Sequence, residues 1–309
     1  MMNADQNREV WKRLIQGKPL DGLGLGVKNG RLDLSGLLAP EPAVVNTVRM
    51  SLADVSTLDG ITVLNQIKWE SLDFSGSRLN GLRFQSCKIS DCVFDECDCR
   101  DWRLWGTTVL NTTFSSADLR KSALGGVQEH RMNTFQKVDF TMADLRQTAY
   151  VSARFISCRF NNTRLNKVNF QGSAFTDCSF EGELREVCFN QRAFGATALP
   201  PNEMLRVDFT RACLRSVEFR GLDLSAVSFP TDEDHILLND YPQSLDRLLQ
   251  GLRGQTEMAS KKLAAYLGVY RKWAGPGQRQ GVLNKNDLLE IGGEDGLRVV
   301  LEMIETLHS

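Results

Sequence analysis

From Phe74 onward an apolar residue, most often a large one, returns at every fifth position: Phe74, Leu79, Phe84, Ile89, Phe94, Cys99, Leu104, Val109, Phe114, Leu119 and Leu124. The series resumes with Phe135, Phe140, Leu145, Tyr150, Phe155, Phe160, Leu165, Phe170, Phe175 and Phe180. It steps back one residue at Leu184 and continues through Phe189, Phe194, Leu199, Met204, Phe209, Leu214, Phe219 and Leu224 to Phe229. All 16 phenylalanines of the chain fall on this comb. A second comb runs two residues ahead of the first and holds mostly small side chains, among them Ser77, Cys87, Cys92, Cys97, Thr107, Thr163 and Cys178. On a helix, five residues advance about 500°, so the apolar positions would fan around the axis. On a strand, five is odd, and they would alternate faces. Both combs point inward only if the chain turns a corner once per unit, which makes a coil with a stacked Phe and Leu core.

The units Ala117-Asp118-Leu119-Arg120-Lys121 and Ala143-Asp144-Leu145-Arg146-Gln147 resemble the pentapeptide-repeat consensus, A-(D/N)-L-x-x. The resemblance covers residues 72–229, half the chain. It implies a mainly β protein: a right-handed quadrilateral β-helix with four units per coil and about eight coils, roughly 35–40 Å long at the usual strand spacing. Weaker matches at Leu32-Asp33-Leu34-Ser35-Gly36 and Ile67-Lys68-Trp69 predict one to three irregular coils between Leu20 and Ser71. Three segments follow: an N-terminal helix or cap over 1–19, the β-helix over 20–230, and a helical region over 231–309.

The comb breaks in three ways. Eleven residues rather than ten separate Leu124 from Phe135, which predicts a bulge or small loop over Gly125–Arg131. Nine separate Phe180 from Phe189, which predicts a tightened corner over Glu181–Glu186. Trp102 and Arg192 take small-residue positions, and Trp102 is expected to distort its coil. Pro200 and Pro201 fit turn positions, where the fixed φ of proline is tolerated. After Phe229-Pro230 the spacing becomes helical over 244–250, 256–273 and 296–307, punctuated by Gly254 and Gly275-Pro276-Gly277. Such a region would cap one end of the solenoid, and an amphipathic helix over Asn3–Ile15 the other.

Composition excludes several function classes. With 37 Lys+Arg against 38 Asp+Glu, the chain is neither a strongly basic nucleic-acid binder nor a DNA mimic by bulk charge. No apolar run reaches the roughly 18 residues of a membrane span. The first residues lack the apolar core of a secretory signal, so the cytoplasm is the expected compartment. Three histidines, His130, His235 and His308, leave little for histidine-based catalysis or metal binding. Cys87, Cys92, Cys97 and Cys99 suggest zinc by their crowding, but they fall on successive sides of a coil and read better as packing. Cys158 and Cys178 stand four units apart, one full coil, and are expected to stack as thiols. Asp232-Glu233-Asp234-His235 reads as a solvated linker rather than a metal site, and Gly22-Leu23-Gly24-Leu25-Gly26 as a turn. No cofactor is implied.

The outward residues carry the functional expectation. Asp91, Asp95, Glu96, Asp98 and Asp101 fall within half a coil, with Trp105 outward beside them, resembling a partner-binding hot spot. Arg154, Arg159 and Arg164 fall on three different sides and make a belt, not a track. Stacking of whole coils places Arg78 over Asp98. The best-known members of the resembled family are bacterial proteins that bind DNA gyrase or topoisomerase IV as dimeric, acidic mimics of duplex DNA. Residues 71–230 hold 20 Lys+Arg and 18 Asp+Glu, which departs from that pattern. The expected function is therefore a non-catalytic protein–protein interaction scaffold with a protein partner and no direct nucleic-acid or membrane binding. The alternatives are a gyrase or topoisomerase IV protection or immunity protein acting by partial DNA mimicry, and an enzyme activity in the C-terminal helices; the sequence does not fix the oligomeric state, a homodimer being one option.

Overall fold

The computed structural model describes residues 3–39, 63–193 and 201–308. Most five-residue units turn their corner through the second residue after the large apolar one. Ser71, Ser86, Asp91, Glu96 and Asp101 hold that place with φ between 52° and 58°, and Gly76, Gly81 and Gly106 take it elsewhere. An L-residue in this left-handed region ordinarily carries a steric cost. Here burial offsets it, because the kink is what lets every Phe or Leu face inward.

The corners generate four sides with parallel pairing between coils. Side one carries Leu64, Phe84, Leu104, Leu124, Tyr150, Phe170, Phe189 and Phe219. Side two carries Trp69, Ile89, Val109, Phe135, Phe155, Phe175 and Met204. On side three stand Leu34, Phe74, Phe94, Phe114, Phe140, Phe160, Phe180, Phe209 and Phe229, and on side four Leu79, Cys99, Leu119, Leu145, Leu165, Leu184 and Leu214. On side three, eight rings from Phe74 to Phe229 form one stack, with centroids 4.6–6.1 Å apart. The fold is thus a right-handed quadrilateral β-helix with a C-terminal helical region.

Register corrects the counting at the breaks. Ile89 pairs with Val109 at the regular interval of 20, but Val109 pairs with Phe135 at 26. The eleven residues after Leu124 therefore hold one unit and a six-residue insertion, not two units and a bulge. The insertion is an antiparallel hairpin, Val127–Gln128 against Arg131–Met132, turning at Glu129 and His130, both with positive φ. The predicted tightening after Phe180 is present: Phe170 pairs with Phe189 at 19, and a seven-residue strand, Ser179–Arg185, runs through the corner with a register shift. Phe175 pairs with Met204 at 29. Phe194, Leu199 and Pro200, and the expected coils over 40–62, lie outside the described residues.

The small comb does more than save space. Cys87, Cys97, Thr107, Ser122, Cys158 and Thr163 each donate to the main-chain oxygen of the large residue one coil below. At Phe74 and Phe140 the same carbonyl also accepts from a backbone N–H, of Ser77 and Ala143, so the side chain there fills the oxygen's second lone pair. Trp102 continues the rule through its indole N–H, which donates to Leu79 O at 2.5 Å. Its coil keeps the regular register on both sides, contrary to the expected distortion. The indole packs edge-on against Phe94 and Phe114 and tilted against Phe84.

Both ends are covered. Helix α1 (Ala4–Gln16) starts at Asn3, whose side chain accepts from Gln6 N, and ends at Gly17 with φ 62°. Trp11 packs against Trp69, and Asn7 Oδ1 accepts from Leu38 N at 3.1 Å. At the far end α2 (Tyr241–Arg253), α3 (Met258–Trp273) and α4 (Lys285–His308, kinked at Gly293) correspond to the three helical segments read from spacing, α3 starting two residues later than read. An antiparallel pair, His235–Asn239 with Gln280–Asn284, has no counterpart in the sequence reading. Its Val282 joins the solenoid core, and Gln280 donates to the carbonyls of Leu224 and Val227. Gly221 N donates to Trp273 O at 2.9 Å.

Candidate functional site: the lateral faces of the solenoid

The acidic candidates wrap around the coil instead of sharing a face. Asp91, Glu96 and Asp101 are three successive corners, Asp95 stands on side three and Asp98 on side four. Most of these residues are already engaged. Asp95 Oδ1 accepts from Ser115 N at 2.9 Å, one coil on. Asp98 holds Arg100 in a bidentate pair at 2.6 and 2.7 Å, and Asp101 lies between Arg83 at 2.8 Å and Arg103 at 3.1 Å. Asp91 offers its carbonyl to Arg31 Nε. Glu96 is exposed. Trp105, on side one, is half-buried beside the hairpin, where a side chain at Gly126 would meet its ring at 3.5 Å.

Side four carries an ordered charge ladder. Asp98, Asp118 and Asp144 are paired rung to rung, and each is clamped by the arginine two residues on, Arg100, Arg120 or Arg146. Weaker contacts link neighbouring rungs: Arg100 to Asp118 at 3.7 Å, Arg120 to Asp144 at 3.8 Å, Arg164 to Asp144 at 3.4 Å. Arg78 stacks on Asp98 through the backbone as expected, but the Asp98 carboxylate goes to Arg100. Hydrogen bonds from Arg100 hold the Asp98 carboxyl below its ordinary range. Burial alone would raise those of Asp118 and Asp144; the bonds from Arg120 and Arg146 outweigh it, and both are lowered. Arg154, Arg159 and Arg164 do occupy sides two, three and four, and Arg159 reaches Asp139 at 3.4 Å.

Side two is different. The hairpin rises at the corner between sides one and two and lies back along the lower coils, with a side chain at Gly106 meeting Gln128 Cβ at 3.2 Å. Between hairpin and side two is an open groove of about 400 Å³. Ile67 and Cys87 form its buried floor, and Lys68, Lys88, Arg131 and Arg154 are its exposed cations, with His130 at the hairpin turn. Sequence reasoning missed this groove. The signal for half of it was present, since Lys68 and Lys88 stand one regular coil apart, but the arrival of Arg131 depends on the insertion register.

The cysteines are buried free thiols, apart from the half-buried Cys213. Burial pushes the Cys87 thiol up to about 11 and that of Cys92 to about 12, which keeps them protonated and unreactive. Among the described residues no cluster of His, Cys, Asp or Glu gathers ligands for a metal. The segment 232–235 is neither a metal site nor a free linker. His235 is buried, and its Nε2 accepts from Leu214 N at 3.0 Å, filling an edge position on side four where a further coil would have bonded. Its Nδ1 therefore carries the proton and donates to Asp232 at 2.7 Å. The Gly22–Gly26 turn, with positive φ at Gly22 and Gly24, leads into the Val27–Lys28/Arg31–Asp33 hairpin.

Residues 152–182 match the family model described as pentapeptide repeats, in eight copies. No curated protein matches the chain. Among solved structures, full-length QnrB1, a plasmid-mediated fluoroquinolone resistance protein, is 16% identical, covering 55% of this chain and 82% of its own, with a TM-score of 0.26. HetL, a pentapeptide repeat protein involved in heterocyst differentiation regulation in the cyanobacterium Nostoc sp. strain PCC 7120, is 15% identical over 54% of this chain and 85% of its own, with a TM-score of 0.22. No helix among the described residues is long and apolar enough to cross a membrane. The five-residue unit repeated along 72–229, with its four-sided register, extends on both sides the pentapeptide repeats that the family model matches over 152–182.

Proposed function

We propose that the protein is a non-catalytic scaffold that recognises a protein partner through the lateral surface of its β-helix. The observation that carries this reading is the capping of both ends. Helix α1 covers the first coil, and the His235–Asn239/Gln280–Asn284 pair with its helices covers the last. Strand edges are the usual route by which a solenoid would add another chain. With both occupied, recognition falls to the sides, where the hairpin and its groove break an otherwise even surface.

Protection of gyrase or topoisomerase IV by partial DNA mimicry calls for a run of unpaired carboxylates. Asp98, Asp118 and Asp144 have the stacking of such a run, but each is neutralised by its own arginine. That pairing favours the general scaffold. The experiment is affinity capture from the source cell lysate followed by cross-linking and mass spectrometry. Cross-links from a captured partner to sides one to four are expected. Capture solely through α2–α4, or failure to capture any protein above a denatured control, would sink the scaffold reading. Recovery of gyrase or topoisomerase IV subunits, lost on Asp95→Lys/Glu96→Lys, would restore the protection reading.

A further inference from the structure

In this solenoid, like charges stacked on paired rungs are compensated in every case but one among the described residues. Arg83 and Arg103 stack with Asp101 between them. Arg185 and Arg215 stack with Glu290 bridging both. Asp33 and Asp73 stack with Lys28 at 3.2 Å from Asp73, and the side-four aspartates carry their arginine clamps. Lys68 and Lys88 also stack directly, yet no carboxylate among the described residues lies within ion-pair distance of either. Like charges directly opposite on paired strands are destabilising. The hairpin then brings Arg131 to the same groove, and Arg154 stands two rungs beyond Thr108 on the same side.

Resting on the scaffold reading, we propose that this groove is a docking site for a short acidic segment of a partner protein, whose carboxylates supply the charges that Lys68, Lys88, Arg131 and Arg154 lack. Charge complementarity selects the class of occupant. The groove is open and about 400 Å³ in volume, which admits a few residues of extended chain over the apolar floor of Ile67 and Cys87. Its neighbours limit the length of any polyanion. Glu70 ends the rung that begins at Lys68, Asp91 is the corner after Lys88, and Glu129 is at the hairpin turn. A nucleic-acid backbone running past the groove would meet these carboxylates, whereas a short acidic peptide stops short of them.

The test is fluorescence anisotropy with a labelled oligoglutamate peptide, alongside tripolyphosphate and single-stranded DNA as competitors. Wild-type protein is compared with Lys68→Glu/Lys88→Glu and with Lys261→Glu/Lys262→Glu on α3, which makes the same charge change far from the groove. The peptide should bind wild type and the α3 variant alike and lose at least about tenfold in affinity with Lys68→Glu/Lys88→Glu. Melting curves keep the result interpretable: the peptide should raise the wild-type Tm, and Lys88→Gln should raise the unliganded Tm at low salt. Equal binding by all three proteins, or tighter binding of DNA or tripolyphosphate than of the peptide, overturns the proposal. A partner that cross-links to the lateral surface of both wild type and Lys68→Glu/Lys88→Glu would refute the groove while leaving the scaffold reading standing.

Discussion

A single side chain in this protein acts through the coil beneath it. Thr163 is the clearest case, since its hydroxyl donates to Phe140 O at 2.8 Å from a fully packed position. Thr163→Val keeps the shape and removes one of the two donors to that carbonyl, the other being Ala143 N at 3.0 Å. The expected cost is about 0.5–1.5 kcal/mol, with Thr163→Ser closer to wild type; chemical denaturation of the three proteins checks it. The large comb residues answer to a different term. Phe170 is fully buried between Tyr150 and Phe189, at 4.6 and 5.2 Å. Phe170→Ala should therefore cost about 3–5 kcal/mol in the same measurement. A variant as stable as wild type would contradict the stacked core. The sequence exposed both combs because burial selects for size, and size is visible in the letters. The hydrogen bonds of the small comb were not visible. Cys97 reads as a small hydrophobe, yet its thiol donates to Phe74 O at 2.7 Å, and only the wrapping of coils identifies that partner.

Among the elements, the hairpin tests the phase of the coil. Removal of residues 126–131 would bring Leu124 and Phe135 to the regular five-residue step and return the enlarged coil to the interval of its neighbours. The shortened protein is expected to fold, with an unchanged far-UV circular dichroism spectrum per strand residue and a cooperative melt. Deletion of five or seven residues should collapse it, because one residue out of phase turns the inward side chains of the coil outward. Gly125 has to stay, since a Cβ there would lie 2.0 Å from Val151 N. Comb counting could not have found the insertion: one unit plus six residues and two units plus one residue have the same length. The strand pair at the C-terminal end was hidden for another reason. Its halves, His235–Asn239 and Gln280–Asn284, are separated by two helices, and five residues of mixed polarity carry no period of their own. The candidate site was legible to the same extent. Lys68 and Lys88 stack at the ordinary interval, while Trp105 and the acidic residues were placed on one surface by proximity in sequence and stand on different sides in space.

Over the whole molecule, the side-four ladder couples stability to acidity. Asp98, Asp118 and Asp144 are held below the ordinary carboxylate range in the folded state. A depressed folded value means their contribution is fully present above the unfolded value of about 3.9 and is lost as pH falls through the folded one. Wild-type stability should therefore drop steeply below about pH 4. The Asp98→Asn/Asp118→Asn/Asp144→Asn variant should be less stable at neutral pH and show a shallower acid slope. Parallel slopes for the two proteins would remove the ladder from the account.

Backbone pairing joins each coil only to the coils above and below it, and both terminal coils are plugged. A molecule held by its two ends would therefore unwind like thread from a square spool, one winding at a time. A regular winding releases roughly 70 Å of contour at the reach of an extended chain. The winding that carries the hairpin, closed by Val109 and Phe135, and the one closed by Phe175 and Met204 are longer. They would release roughly 90 Å and roughly 100 Å by the same reach. These irregular windings, and the first, in which Asp33 pairs with Asp73 at an interval of 40, would thus mark their own positions along a force–extension trace.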